Sequence, residues 1–325
     1  TNILFSSGTT GDPKAIPWTH TTPIKCGAAA YFHHDIKPGD VLAWPTSLGW
    51  MMGPWLIYAA LLNRSAIALY TGVPTKKEFC KFVEESKITM LGVVPSLVKA
   101  WRNGGAIYGS NWGHIKAFSS TGECSNADDM FFLMSQAGYK PVVEYCGGTE
   151  IGGGYICGST IQPQAASFFS TPAIGLGLTL RAENGDEVNQ GEVFLRPPSI
   201  GLSTTLLNRD HHEVYFANTP EKGLRRHGDE IERLAGGYFR AHGRADDTMN
   251  LGGVKVSSAE IERVVNEAEK VIETAAIAVA SQGGGPSELI VYAVTSQEAT
   301  AENLHSEMKQ LIKTKLNPLF HLKEV

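Results

Sequence analysis

The sequence predicts an α/β protein, and three observations carry that reading. Short apolar runs alternate with helix-patterned segments as far as Tyr145. From about Thr171 the texture changes to short strands separated by Gly, Pro and Asn turns. After Gly243 it changes again, to mixed helix and strand. Alternation at the first spacing implies a mostly parallel sheet, because parallel neighbours need a crossover that a helix supplies.

The elements follow in order. Ile3-Leu4-Phe5 reads as a short buried strand. A helix over 22–34, a strand over 41–44, an apolar helix over 55–62 and a strand over 66–70 come next. Residues 75–86 carry Phe79, Phe82 and Val83 at spacings of three and four, which marks one helical face. A strand over 90–94 precedes Pro95-Ser96, which opens a helix to about Trp101 because proline is tolerated in a first turn. Strands over 115–119 and 142–145 flank one more helix. Runs at 174–181, 191–196 and 237–241 suggest a small antiparallel or barrel-like subdomain. Beyond it, Ser257 and Glu260 form a capping box, and Ile261, Val264, Val265 and Ala268 make an apolar stripe. Strands over 275–280 and 289–294 surround a Gly283-Gly284-Gly285-Pro286 turn. A last helix presents Leu304, Met308, Leu311 and Ile312 and ends by Pro318. No internal repeat is present.

Composition narrows the function classes. With 325 residues, 42% hydrophobic and 19% charged, the chain can build more than one domain around a substantial core. A net charge of -5 with dispersed Lys and Arg offers no nucleic-acid surface. The apolar stretch 48–62 is too short for a membrane span and is broken by Gly53 and Pro54. The five cysteines (Cys26, Cys80, Cys124, Cys146 and Cys157) form no CxxC pair, so reduced, buried thiols in an intracellular compartment are expected, without a metal site. Nor do the His pairs at 33–34 and 211–212 have metal-ligand partners at useful spacing. The absence of an initiator Met before Thr1-Asn2, and an end at Lys323-Glu324-Val325 without a closing element, suggest a segment of a longer polypeptide.

The run Ser6-Ser7-Gly8-Thr9-Thr10-Gly11-Asp12-Pro13-Lys14 carries the most chemistry. Its glycines let backbone N–H groups approach an anion, and its hydroxyls and lysine add donors and charge. Gly8 and Gly11 are too close for a Walker A loop, and Pro13 sits where that loop would begin its helix. By itself the run fits a solvated turn as well as a phosphate cradle.

Three further segments decide the matter. They are Glu144-Tyr145-Cys146-Gly147-Gly148-Thr149-Glu150, Gly228-Asp229, and the block from Gly243-Arg244 through Asp246, Gly252-Gly253 and Lys255 to Glu262. In this order the set resembles the adenylate-forming (AMP-binding) superfamily, with its closest likeness to the acetyl-CoA-synthetase-like branch and plant acyl-activating enzymes. The resemblance implies a large domain over 1–245, β-rich from about 171, and a small α+β lid domain over 246–325. It implies an acid–thiol ligase that joins a carboxylic acid to AMP from ATP, releases pyrophosphate and transfers the acyl group to coenzyme A. Ser6, Ser7, Gly8, Thr9, Thr10, Gly11 and Lys14 would then cradle the β- and γ-phosphates. Thr149 would bond the α-phosphate and Glu150 would hold Mg²⁺, a hard cation that prefers oxygen. Gly122, Glu123 and Cys124 would pass the adenine with Tyr145 as a stacking face, and Glu144, Cys146, Gly147 and Gly148 would belong to the same nucleotide site. Asp229 would accept the ribose hydroxyls, with Arg244 on the ribose or phosphate side. Asp246 would be the hinge, Gly252 and Gly253 would face coenzyme A, and Lys255 would contact a phosphate.

Gly147, with Gly148 after it, stands where acetyl-CoA synthetases place a Trp, which implies room for an acid larger than acetate, walled in part by Trp50. Peroxisome and cytoplasm are both compatible with the resemblance. Ala15 departs from the glycine usual after the loop lysine. The family's C-terminal lysine motif and N-terminal portion have no counterpart, and Lys313, Lys315 and Lys323 lack the context for that role. A catalytically weak nucleotide-binding fragment, or an adenylating enzyme with another acceptor, are the rival readings.

Overall fold

Apolar runs too short for helices and buried on both faces become the inner strands of a sheet. A computed structural model describes residues 1–6, 14–122, 125–245, 248–251, 254–279, 288–296, 299–318 and 320–325. Of Gly243, Arg244, Thr248, Asn250, Val254, Lys255 and Ser257 only the backbone is described. Among the described residues seven strands form the main sheet, in the order Ala66–Ile67, Val41–Ala43, Met90–Val93, Ala117–Ser120, Val142–Gly148, Gly153–Cys157 and Thr171–Pro172. The first five run parallel. The last two each run antiparallel to the preceding strand.

Helices Thr21–His33, Met52–Leu62, Lys77–Glu85, Pro95–Gly104 and Ala127–Ser135 alternate with those strands. Local chemistry sets their ends. Pro95 occupies the first turn of its helix, where no N–H is needed, and Gly105 closes it in the left-handed region at φ 66°. Asn126 caps the next helix by accepting the Asp128 N–H at 2.8 Å. One core cluster gathers Phe79, Trp101, Trp112, Phe118 and Met130, with Phe79 stacked on Trp101 at 5.8 Å. A second gathers Leu42, Trp44, Trp55, Met90 and Tyr145. Each fully buried Phe in such a cluster contributes ~1.5–3 kcal/mol.

The expected helices and parallel strands are present, with shifted bounds. The helix expected over 55–62 starts at Met52, and the strand expected over 142–145 runs on to Gly148. Strands Lys14–Pro17, Gly153–Cys157, Arg225–Arg233 and Leu322–Glu324 were not expected. The β-rich segment forms a four-stranded sheet in the order Gly177–Arg181, Gln190–Arg196, Arg225–Arg233 and Phe239–Arg244. Its first two strands are antiparallel, and the linear order leaves the sheet open rather than closed into a barrel.

The chain divides into two compact units, Thr1–His227 with Glu232–Arg240, and Gly228–Ile231 with Ala241–Val325. Asp246, the expected boundary and hinge, lies outside the described residues. The second unit contains the hairpin Thr248–Leu251 with Val254–Ser257, helix Ser258–Val265, antiparallel strands Val271–Val279 and Glu288–Thr295, and helix Ala301–Lys315. Its core is built on Ile261, Val265, Leu289, Val291, Met308 and Ile312. The capping-box Ser257 side chain and the turn at 283–286 lie outside the described residues.

Candidate active site

The two ends of the glycine-rich run are held together by a hairpin. Strand Ile3–Ser6 pairs antiparallel with Lys14–Pro17, placing Ser6 opposite Lys14. Ala15 fixes the exit, because its N–H donates to Asn208 Oδ1 at 2.9 Å and its carbonyl accepts the Leu207 N–H at 3.0 Å. Ser6 Oγ is buried without a hydrogen-bond partner among the described residues, so a polar ligand there would satisfy it. Ser7, Gly8, Thr9, Thr10 and Gly11 lie outside the described residues.

Strand Val142–Gly148 delivers Thr149 and Glu150 from its C-terminal end. The Thr149 carbonyl accepts Trp18 Nε1 at 2.8 Å, and the Glu150 carbonyl accepts the Ser203 N–H at 2.7 Å. Glu150 is 9% exposed. Burial alone would raise its carboxyl, yet the charges of His227, Lys14 and Arg225 together outweigh burial and hold it below the ordinary value of 4.5. Gly148 adjoins the same carboxylate, since a Cβ there would lie 2.9 Å from Glu150 Oε2. Sequence reasoning missed most of this surrounding. Arg225 is fully buried, donates to Ser203 Oγ at 3.0 Å, and holds its guanidinium carbon 3.7 Å from the Tyr215 ring centre. Lys14 Nζ lies 5.0 Å from the same centre. His211 donates to the Ser203 carbonyl at 2.9 Å and its ring meets Tyr215 at 5.0 Å. The result is one ionised acid among cations, one of them Lys14 at the end of the glycine-rich run.

A family model described as AMP-binding enzyme matches residues 1–202, more than half of the chain. The chain belongs to the AMP-binding enzyme family. It is 51% identical to a hexanoyl-CoA synthase of Cannabis sativa and 51% identical to a probable peroxisomal acyl-activating enzyme 17 of Arabidopsis thaliana. Each alignment covers 100% of this chain and 47% of the relative, so the chain spans about half the length of these proteins. Among solved structures, acetoacetyl-CoA synthetase from Streptomyces lividans aligns with a TM-score of 0.88 at 26% identity, covering 99% of this chain and 51% of that one. The adenylate-forming α/β fold expected from the motifs is therefore the fold of this chain.

Within that family fold, several expected site residues stand elsewhere than the motifs imply. Tyr145 is 1% exposed; its hydroxyl accepts Trp55 Nε1 at 3.1 Å and its ring packs on His34 and Trp55. It is a core residue and not a stacking face, while Cys146 on the same strand is half-buried. The physical reason is a strand buried on both faces, so the hydrophobic environment holds the ring inside. Gly147 does not open room along its side-chain direction either. A Cβ there would stand 1.9 Å from the Gly153 carbonyl oxygen, at a bulge where the neighbouring strand approaches. Trp50, expected as an acyl-pocket wall, is 70% exposed, whereas Met52 belongs to the core and Met51 packs against it. Gly122 is exposed at φ 92°, and Glu123 and Cys124 lie outside the described residues. In the second unit Asp229 is half-buried on its strand. The side chains of Arg244 and Lys255, and Gly252 and Gly253 entirely, lie outside the described residues. Among the described residues no group of three or more His, Cys, Asp or Glu could hold a metal ion, and no helix is long and apolar enough to cross a membrane. Cys26, Cys80 and Cys157 are free and buried, as expected.

Glu144, expected at the nucleotide site, is buried. It is 3% exposed, its carboxylate accepts Ser125 Oγ at 2.8 Å, and burial pushes its carboxyl up to about 7. A carboxyl whose folded pKa exceeds its ordinary 4.5 costs stability as it ionises. The cost is absent below the unfolded value and complete above the folded one. Glu144→Gln is expected to stabilise the chain by roughly 2–3 kcal/mol at pH 8 and by little at pH 4.5. Urea unfolding at both pH values measures it, and equal effects at the two would exclude the carboxylate as the cause.

Proposed function

We propose that the polypeptide carrying this sequence is an AMP-forming acid–thiol ligase. A carboxylate oxygen attacks the α-phosphorus of ATP, the bond to the bridging oxygen of the β-phosphate breaks, and pyrophosphate leaves with its electron pair. The thiol of coenzyme A then attacks the acyl carbonyl, loses its proton, and AMP departs. The observation that carries this reading is the meeting, around Glu150, of Lys14 from the loop hairpin with Arg225 and His227 from more than seventy residues beyond the acid. Two anionic reactants need their charge offset and their approach aligned, and such a cluster does both.

Ser6, Lys14 and the residues between them would hold the departing phosphates, and the Thr149 hydroxyl would bond the α-phosphate. Glu150 fits Mg²⁺ because it is an ionised hard-oxygen donor, and magnesium uses one or two carboxylates with substrate phosphates and water. When bound, that ion would neutralise triphosphate charge. Asp229 and Arg244 would serve the ribose, Asp246 the hinge between lid positions, and Gly252, Gly253 and Lys255 the coenzyme A side. The relative named hexanoyl-CoA synthase supports an acid larger than acetate, and the one described as peroxisomal supports the peroxisome over the cytoplasm.

A panel of carboxylic acids with ATP, Mg²⁺ and coenzyme A, followed by AMP release from the intact polypeptide, tests the reading. Hexanoate is expected to exceed acetate in kcat/KM by about a hundredfold, the scale that several methylenes in a fitted pocket support. Acetate as the better substrate would overturn the specificity, and AMP release indifferent to coenzyme A would overturn the acceptor.

A further inference from the structure

The loop lysine does not stand alone. Its ammonium lies 5.0 Å from the centre of the Tyr215 ring, and the Arg225 guanidinium lies 3.7 Å from the same centre. A ring that receives two cations in a buried place is a stronger partner than an exposed one, because a desolvated cation–π contact is not weakened by water. Tyr215 is 3% exposed and Arg225 fully buried. The ring is fixed in turn. Asp210 caps the short helix His211–Tyr215 by accepting the Glu213 N–H at 2.7 Å, and the His211 ring packs against Tyr215. Arg225 is tied to Ser203 Oγ, and the Ser203 N–H donates to the Glu150 carbonyl. Leu207 and Asn208 of the same segment hold both backbone groups of Ala15, the residue after Lys14. One stretch of chain therefore grips the loop exit, seats the arginine and ties to the backbone of the acid.

We propose that Tyr215, seated on Arg225, is the platform that positions the Lys14 ammonium beside Glu150, making the segment from Ser203 to Arg225 a positioning element of the nucleotide site. A lysine with four rotatable bonds pays a large ordering cost when it grips a phosphate from a free state. Against a ring face the ammonium is already placed, so that cost is met in the folded protein and ATP affinity rises. Arg225 supplies the second contact that keeps the ring from turning. Glu150 balances the two cations.

The proposal rests on the ATP reading above, and its test separates the two. Tyr215→Leu and Tyr215→Phe are made in the intact polypeptide, with and without Lys14→Met, and ATP–pyrophosphate exchange is followed. Tyr215→Leu is expected to raise KM for MgATP about tenfold while KM for the acid stays within about twofold. Tyr215→Phe, which keeps the ring, restores most of the affinity. Once Lys14 is methionine, removing the ring costs nothing further. An unchanged KM for MgATP in Tyr215→Leu, or an equal ring effect with and without Lys14, overturns the platform. Should the unsubstituted polypeptide fail to exchange, the ATP reading falls, and the platform is then judged by mass-spectrometric labelling of Lys14 with acetic anhydride. Tyr215→Leu is expected to increase that labelling several-fold and Tyr215→Phe to leave it low; equal labelling in all three forms rejects the platform. If the leucine variant does not fold, Tyr215→Met removes the ring at similar volume and carries the same measurements.

Discussion

Glu150→Gln is expected to remove ATP–pyrophosphate exchange by a factor of about a thousand and to destabilise the fold at the same time. Both effects have one source. The carboxylate is 9% exposed and is the anion facing Lys14, His227 and Arg225, the last fully buried. An amide of the same shape keeps the packing and deletes the charge, leaving the buried guanidinium uncompensated. Breaking a buried ion pair from one side costs about 3–5 kcal/mol, and withdrawing an electrostatic group from a phosphoryl-type site costs about two to three powers of ten in rate. The pH dependence distinguishes this from a packing defect. A carboxyl whose pKa is depressed by folding contributes stability above its unfolded value of 4.5, and that contribution is lost as pH falls through the folded value. The stability gap between the parent and Glu150→Gln should therefore be full at pH 7 and close as pH drops below the ordinary carboxylate range. Urea unfolding across pH 3 to 7 with exchange assayed at pH 7 measures both. A variant as stable as its parent at pH 7, with exchange intact, would remove Glu150 from the site.

That acid was legible in the sequence because its motif has a fixed spacing, and so was the sheet that delivers it. The runs 90–94 and 142–145 read as strands from sequence, and they are mostly apolar because parallel strands covered by helices lack polar faces. The same property hid the direction of Tyr145. In a strand with no polar face, alternation does not tell which side chains line a site, and only packing against His34 and Trp55 places this ring in the core. Strand Gly153–Cys157 was missed for the opposite reason. Gly152, Gly153 and Gly154 signal a turn locally, and pairing with Tyr145–Gly148 overrides that signal. Arg225 and His227 lie in Arg225-Arg226-His227-Gly228-Asp229-Glu230, a charge-rich run whose composition reads as solvated. Their burial is created by Tyr215, Tyr155 and Glu150, residues distant in sequence, so no local pattern announces it.

Gly147→Ala is expected to be among the most costly single methyl additions in the chain, and Gly147→Trp to prevent folding rather than to retune the acid pocket. The added Cβ would stand 1.9 Å from the Gly153 carbonyl oxygen, 2.6 Å from its carbon and 2.7 Å from Gly154 Cα. These are backbone atoms of a paired strand, not the free end of a side chain, so no rotamer change relieves the clash. Overpacking a core costs about 1–3 kcal/mol when side chains can shift. Here the strand itself must move, and a loss of at least about 3 kcal/mol is expected. Gly104→Ala supplies the control, since nothing lies within 4 Å of that position on helix Pro95–Gly104. It should be neutral or stabilising by about 0.5 kcal/mol, because alanine restricts the unfolded chain more than glycine does. Thermal unfolding of the three variants ranks them. A folded Gly147→Trp polypeptide with an unchanged midpoint and a preference turned toward acetate would show that the neighbouring strand yields. The glycine would then act on specificity by leaving space. If the expected order holds, selectivity arises at other walls, and the close approach of Gly153 is what position 147 must permit.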